Sequence, residues 1–267
     1  MKQEIFLPEF LIPFECDSLI RVGEGNDGSY LVDRSSIDMS EILISIGVGI
    51  TFDFEKSVLE FKKIPVIALD GSAGLISQLK KIKFRLKNII QYRNKDYISE
   101  SFEHFFKPFF FYFFYKNFRS NFINKNYRRF IKKFVGNGQN HLSFDTIFKN
   151  FIFKNKFDHA LLQIDIEGGE YDILNDILTY DKFISGLVIE FHDIQIHENK
   201  IKNFIEDFSL SLVHTHINNI GGVTSTNIPK VVELTFSKIK SIKKVNQLPH
   251  TLDKKNSEEF FDYELNF

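Results

Sequence analysis

The sequence predicts an α/β fold built on a mostly parallel sheet that ends in an antiparallel pair of strands. From Glu41 onward, short apolar runs alternate with segments whose apolar residues recur at helical spacing, which is typical of βαβ units. Two late runs follow each other with only a loop between them. Ionisable residues also come directly after several runs, and open α/β sheets bind ligands at the carboxyl ends of their strands.

The predicted elements follow in a regular order. Five strands are expected at residues 42–46, 66–69, 88–92, 159–164 and 186–191, and helices, for example at 53–61 and 72–81, would cover the sheet. The last two runs, 210–216 and 231–237, lack a crossover helix, so they are predicted to pair antiparallel. A parallel sheet closed by an antiparallel strand is the arrangement of class I S-adenosylmethionine-dependent methyltransferases.

Composition narrows the class of protein. A net charge of −1 argues against wholesale binding to nucleic acid, and the single cysteine, Cys16, excludes an internal disulfide framework. Residues 1–14 lack a signal-peptide pattern, which favours a cytoplasmic location. We expect an N-terminal segment at 1–40, a main domain at 41–240 and a C-terminal tail at 241–267.

Residues 97–140 interrupt the alternation and are predicted to form a helical insertion. An aromatic stretch is followed by a basic one, and the apolar part is too short to span a bilayer. The aromatics would pack either on the sheet or on a second subunit, and the second arrangement would make a homodimer. Arg128 and Arg129 could bind the pyrophosphate of a nucleotide sugar. A solvated basic face and weak membrane-surface association are the alternatives.

The stretch 161–174 is predicted to be a strand, a turn and a helix. Asp165 and Glu167 follow the strand, at the position where active-site residues of such sheets usually lie. The turn and the helix cap are expected to be formed by Gly168, Gly169 and Glu170. Acids that merely suit the dipole of a helix N-terminus are the alternative.

A divalent metal site is predicted between this strand and the next. The fifth strand ends in Glu190 and His192, and adjacent strands would bring both near Asp165. Two carboxylates and an imidazole can coordinate Mn²⁺ or Mg²⁺, which would bind and acidify a sugar hydroxyl. Alternatively, His192 is a metal-free general base, or the group is a structural ion pair.

Glycines and an acid predict a cofactor that contains adenosine. Gly47 and Gly49 follow the first strand, and Asp70 follows the second, where an acid can accept hydrogen bonds from a ribose. NAD and S-adenosylmethionine both fit this pattern.

Polar residues also gather after the sixth strand. His214 and His216 should lie on one face, and His216, Asn218 and Asn219 are candidate substrate contacts. A surface pair of histidines is the alternative. Near the N-terminus, residues 26–28 predict a hairpin turn.

Taken in order, these segments resemble the FkbM-type methyltransferases, particularly a bacterial branch that modifies surface sugars. The matching pieces are Arg-Val-Gly at 21–23 with Asn-Asp-Gly-Ser-Tyr at 26–30, Ser-Ile-Gly-Val-Gly at 45–49, Ile-Asp-Ile-Glu-Gly-Gly-Glu at 164–170, Val-Ile-Glu-Phe-His at 188–192 and His-Thr-His-Ile-Asn-Asn at 214–219, leading to Pro229 and Val-Glu-Leu at 232–234. Ser45 stands where the family usually has an acid.

The resemblance implies a class I methyltransferase fold with a seven-stranded sheet, S-adenosylmethionine as donor and an oxygen acceptor. Gly47 and Gly49 would back the methionine part of the cofactor, and Asp70 would meet its ribose. An N-terminal lip over the pocket would comprise Asn26, Asp27, Gly28 and Tyr30.

Together these features predict O-methylation of a nucleotide-activated sugar hydroxyl for capsule or another surface polysaccharide. Asp165 and His192 would be catalytic, and Asp165, Glu190 and His192 would hold the metal. An NAD-dependent nucleotide-sugar oxidoreductase is an alternative that the late antiparallel pair argues against. A non-catalytic surface-binding module that docks through the insertion is another.

Overall fold

A computed structural model describes residues 3–24, 27–49, 52–72, 128–261 and 263–266. The predicted third strand at 88–92, the predicted helix at 72–81 beyond Ser72 and the aromatic part of the insertion lie outside the described residues.

Over the described residues, the central sheet has seven strands in the order β6-β5-β4-β7-β8-β10-β9. Strand β10 is antiparallel to both its neighbours, whereas the pairs formed by β4 to β8 are parallel. This confirms the predicted class I methyltransferase fold. The strands are β4 (Ile42–Ile46), β5 (Val66–Leu69), β6 (Arg128–Ile131), β7 (Ala160–Ile164), β8 (Ile184–His192), β9 (Ser211–Ile217) and β10 (Val231–Ser237).

Four shorter strands of the described residues lie outside this sheet. Strands β2 (Leu19–Val22) and β3 (Tyr30–Asp33) form the predicted antiparallel hairpin, and Gly28 in its loop has a φ of 75°. Strands β1 (Gln3–Phe6) and β11 (Tyr263–Asn266) pair in parallel. The C-terminal segment therefore packs on the domain, and Val245 N–H donates to the carbonyl of Pro13.

The described α-helices are short apart from the last. Residues Asp53–Phe61 form the predicted helix α2, whose buried side includes Phe54 and Val58. The predicted helix after β7 begins instead with a 3-10 turn, Glu170–Asp172. The α-helices are α1 (Arg34–Met39), α2 (Asp53–Phe61), α3 (Phe144–Ile147), α4 (Leu174–Thr179) and α5 (Ile194–Asp207). None of the described helices is both long enough and apolar enough to cross a membrane.

Both faces of the sheet are buried, as the apolar runs predict. On β4, Ile44 packs in one cluster with Phe204 and Phe236, while its neighbour Leu43 packs in another with Val58. Alternation along the strands fixes these two faces. The second face also carries the polar side chains of the candidate site, beneath the β2–β3 hairpin.

The prediction of a helical insertion is wrong for its described end, because Arg128–Ile131 is the edge strand β6. Phe130 of this strand is buried and Arg129 is exposed, while Arg128 and Ile131 are half-buried. An edge strand tolerates such charges because only one of its sides is paired. Dimerisation through the aromatic stretch stays a prediction.

Candidate active site

Three ionisable side chains meet where β7 and β8 end. Asp165 follows β7 directly, and Glu190 and His192 lie at the carboxyl end of β8. One ligand atom from each lies within 4.8 Å of the others. The adjacency predicted from the strand order is confirmed, because β7 and β8 are parallel neighbours with Ile164 opposite Ile189.

The backbone turns sharply at both strand ends. Glu167 and Asp193 have φ values of 56° and 51°, in the left-handed region that non-glycine residues seldom adopt. Each such residue costs about 1–3 kcal/mol and persists only where its surroundings enforce it, a condition often met at active sites. Both positions directly adjoin the cluster, since Glu167 lies two residues after Asp165 and Asp193 follows His192.

The glycine loop after β4 touches this cluster. Gly47 has a φ of 83°, and a Cβ atom placed on it would lie 1.5 Å from the carbonyl oxygen of Asp165. Only glycine permits this approach. The predicted cofactor loop and the predicted metal cluster are therefore in direct contact.

His192 is surrounded by carboxylates. Its Nδ1 lies 3.0 Å from Glu170 Oε1, and its Nε2 lies 4.0 Å from Asp165 Oδ1, 3.6 Å from Glu190 Oε1 and 3.5 Å from Glu167 Oε2. Glu167 is largely exposed, whereas Glu170 is fully buried. Four acids thus face one imidazole.

Glu170 therefore has a role that the sequence prediction missed. It was expected only to form the turn and cap a helix, and its Oε1 does accept the Ile166 N–H at 3.1 Å. The same oxygen contacts the His192 ring. A signal was available, since Glu170 precedes Ile173, Leu174 and Ile177 by three, four and seven residues and so belongs to the buried stripe of the predicted helix.

Burial and crowding shift the protonation of the cluster. Burial raises the pKa of Asp165 to about 7, against the attraction of His192 and with repulsion from Glu167. Burial and the nearby Asp165 carboxylate raise the pKa of Glu190 well above its usual range. For His192, burial lowers the pKa, but the hydrogen bond to Glu170 and the surrounding acids raise it overall. The cluster has an excess of negative charge.

A hard divalent cation fits this donor set. Among the described residues, Asp165 Oδ1 is buried without a hydrogen-bond partner. Oxygen ligands suit Mg²⁺ and Mn²⁺, and Mn²⁺ tolerates the imidazole nitrogen better. A cation between these atoms would relieve the repulsion that raises the two carboxyl pKa values.

Asn218 and Asn219, the predicted substrate contacts after β9, are engaged with protein groups. The Asn218 amide donates to Glu190 Oε1 at 3.0 Å, and its oxygen accepts the Ile220 N–H at 2.9 Å. Asn219 donates to the carbonyl of Ser257 at 2.8 Å and accepts the Ser257 N–H at 3.0 Å. Both amides shape the site, and direct contact with a substrate stays a prediction.

The histidines of β9 join the C-terminal segment to the sheet. His214 and His216 lie on one face with their ring centroids 6.4 Å apart, as alternation predicts. Asp253 Oδ1 lies 3.0 Å from His214 Nε2 and 3.5 Å from His216 Nδ1. The amide oxygen of Asn256 lies 3.0 Å from His216 Nε2, and its nitrogen donates to Glu233 at 2.6 Å. Nothing in the sequence of the predicted tail marked Asp253 or Asn256.

Replacing Asp253 with Asn should destabilise the protein by about 3–5 kcal/mol near neutral pH, because His216 loses a buried partner. Burial lowers the pKa of His216, but Asp253 and Glu233 raise it to about 9, so this histidine stabilises the wild type fully below its unfolded pKa of roughly 6.5. That contribution disappears as the pH rises through 9.

Urea unfolding of both proteins between pH 6.5 and 9 would check this. The wild-type contribution from His216 should fall across that window, and the variant should show a much smaller change. If the unfolding free energy changed equally with pH in the two proteins, the expected role of Asp253 would be contradicted.

The predicted cofactor residues surround the glycine loop. Asp70 accepts the Gly49 N–H at 2.9 Å and the Ser72 N–H at 2.7 Å, so its carboxylate orients the loop. Gly49 has a φ of 57°, and a Cβ atom on it would meet none of the described atoms within 4 Å. Among the described residues the space beside Gly49 is therefore unfilled, and contact of Asp70 with a ribose stays a prediction.

The described part of the predicted lip lies near the same site. Tyr30 is buried with its ring edge-on to Phe54 at 5.6 Å, and Asp27 accepts from the Asn256 amide at 3.4 Å. Gly28 provides the turn between them, and Asn26 lies outside the described residues.

Arg128 and Arg129 lie away from the cluster. Strand β6 is separated from β7 by β5 and β4, which corresponds to roughly 14 Å at a strand spacing of about 4.8 Å. The Arg129 guanidinium lies 5.7 Å from the ring centre of Phe151. Pyrophosphate binding by this pair stays a prediction.

Comparison with known proteins supports the family resemblance. Residues 88–218 match the model of the methyltransferase FkbM domain, which supports methyl transfer as the activity. No curated protein sequence matches the chain.

Several solved structures of methyltransferases are similar in outline. A protein from Streptococcus pneumoniae assigned as a tRNA methyltransferase, solved with S-adenosyl-L-methionine, is 13% identical, with a TM-score of 0.39, covering 78% of this chain and 71% of that one. Precorrin-6y C5,15-methyltransferase from Geobacter metallireducens is 10% identical, with a TM-score of 0.36, covering 77% and 85%. Likenesses this distant say nothing about the substrate.

Proposed function

We propose that this methyltransferase of the FkbM type transfers a methyl group from S-adenosylmethionine to a hydroxyl of a sugar, in nucleotide-activated form, for capsule or another surface polysaccharide. One observation carries the proposal. The glycine loop of the expected donor site packs on the carbonyl of Asp165, which also belongs to the acid and imidazole cluster. The proposed donor and acceptor sites would therefore adjoin.

The reaction places modest demands on the protein. The acceptor oxygen attacks the sulfonium methyl carbon in line, so the new C–O bond forms as the C–S bond breaks, and the hydroxyl proton leaves. Most of the acceleration should come from alignment of oxygen, carbon and sulfur. The donor would be held by Gly47, Gly49 and Asp70. The lip of Asn26, Asp27, Gly28 and Tyr30 would cover it.

The acceptor hydroxyl would be oriented by Asp165, Glu190 and His192. This cluster would also stabilise the negative charge of the oxygen or accept its proton. A bound divalent cation would lower the pKa of a coordinated hydroxyl. The two carboxylates and His192 Nε2 would hold it, since all three face one point. In the metal-free alternative, His192 Nε2 accepts the proton while Glu170 orients the ring.

Methyl transfer assayed against a panel of nucleotide-activated sugars tests the proposal. We expect transfer to at least one of them, a fall of at least a hundredfold on titration with a chelator, and recovery on addition of Mn²⁺ or Mg²⁺. Full activity in chelator would favour the metal-free mechanism. The control measures binding of S-adenosylhomocysteine and NAD, and binding of NAD alone would point to the oxidoreductase instead.

A further inference from the structure

Glu170 is a buried acid whose two oxygens are used unequally. Its side chain is fully buried, its Oε1 contacts both the Ile166 N–H and the His192 ring, and its Oε2 is buried with no hydrogen-bond partner among the described residues. Burial of an ionised carboxylate is costly unless a charge or donor compensates for it. A glutamine could accept the Ile166 N–H as well, so the turn alone does not account for an acid.

We propose that Glu170 is the positioning residue of the site, which keeps the proton of neutral His192 on Nδ1 and turns the Nε2 lone pair toward Asp165 and Glu190. The inference rests on the proposed function, in which Nε2 meets the cation or the hydroxyl proton.

The distances favour this tautomer. An Nδ1–H can donate to Glu170 Oε1 at 3.0 Å, whereas the oxygens of Asp165, Glu167 and Glu190 lie 3.5 Å or more from Nε2, which is longer than a good hydrogen bond. The Nε2 lone pair is then free to bind a cation placed between it and the oxygens of Asp165 and Glu190. A carboxylate that fixes the second nitrogen of a metal-binding histidine is a recurrent arrangement.

The neighbouring residue holds the backbone of the same histidine. Tyr171 donates its hydroxyl hydrogen to the carbonyl oxygen of His192 at 2.5 Å, and its ring lies 5.6 Å from that of Phe191. The 3-10 turn Glu170–Asp172 thus contacts both the ring and the main chain of His192. The orientation of a residue on β8 is set by the turn that follows β7.

Two variants separate the hydrogen bond from the charge. Glu170→Gln keeps the shape and an acceptor oxygen, whereas Glu170→Ala removes both. Glu55→Gln is the matched control, because Glu55 is also a buried acid, 2% exposed, but it lies on α2 and accepts the hydroxyl hydrogen of Ser45. This control should leave methyl transfer near the wild-type level.

The decisive readout is the ring ¹⁵N spectrum of neutral His192 in metal-free protein, assigned by its loss in His192→Gln. We expect Nδ1–H in the wild type and in Glu170→Gln, and a shift toward Nε2–H in Glu170→Ala. Titration with Mn²⁺ should show affinity reduced by about 10–100-fold in Glu170→Ala and less in Glu170→Gln.

The outcomes distinguish this inference from the proposed function. A proton on Nε2 in the wild-type protein would overturn the positioning role of Glu170. This measurement does not depend on whether any variant folds. An unchanged tautomer together with unchanged Mn²⁺ affinity in Glu170→Ala would also overturn it. A tautomer that depends on Glu170 in a protein that binds no Mn²⁺ would support the positioning role while the metal part of the proposed function failed.

Discussion

Replacement of Asp165 by Asn should reduce methyl transfer at least a hundredfold and leave the fold intact. The amide has nearly the same shape, but it removes one of the three carboxylates that face His192 Nε2 and replaces one possible acceptor with a donor. Stability should not fall, because the neutral amide avoids the cost of burying a charge. The same cost raises the pKa of Asp165 to about 7. Steady-state kinetics and thermal unfolding would measure the two effects.

Asp172→Asn is the matched control for that experiment. It makes the same chemical change seven residues along the chain, at an exposed side chain in the 3-10 turn. Its turnover should stay within about twofold of the wild type, as is usual for surface changes. Near-normal turnover of Asp165→Asn would remove Asp165 from the catalytic group.

Replacement of Gly47 by Ala should destabilise the protein by at least about 4 kcal/mol, which is exceptional for one methyl group. The new Cβ would lie 1.5 Å from the Asp165 carbonyl oxygen, and the φ of 83° is itself unfavourable for alanine. Relief would require β4 and the chain after β7 to move apart. Urea unfolding gives the free energy directly.

Gly49→Ala provides the comparison, because its φ of 57° is also left-handed but its Cβ would meet no described atom within 4 Å. It should cost only about 1–2 kcal/mol. If Gly49 borders the donor site, its methyl group should weaken binding of S-adenosylmethionine, measured by calorimetry. Equal destabilisation by the two variants would refute the close approach of Gly47 and Asp165.

The sheet was largely predictable because its strands are buried on both sides. Strands β4, β5 and β10 and helix α2 have the boundaries that the apolar patterns indicate. The meeting of Asp165 with Glu190 and His192 followed from strand order alone. Parallel neighbours bring their carboxyl ends to the same edge, so this contact required no knowledge of loops.

Other parts of the site depend on contacts that sequence patterns do not encode. Asp253 and Asn256 reach β9 from an irregular segment about forty residues further along the chain, and the path of such a segment has no periodicity to read. Strand β6 was mistaken for part of a basic helix because Arg-Arg-Phe-Ile carries the charges of a sheet edge. Glu170 was overlooked because the same acid also suits the start of a helix.

Parallel pairing of β1 with β11 joins residues that are nearly the whole chain apart. Contacts between such distant residues carry a high closure entropy and tend to form late. The seven-stranded sheet is complete at Ser237, whereas Asp253 and Asn256 follow it on the chain. During synthesis, the sheet can therefore form before Asp253 and Asn256 have emerged to contact His214 and His216. We expect the contacts of the C-terminal segment with β9 to form after the sheet has folded.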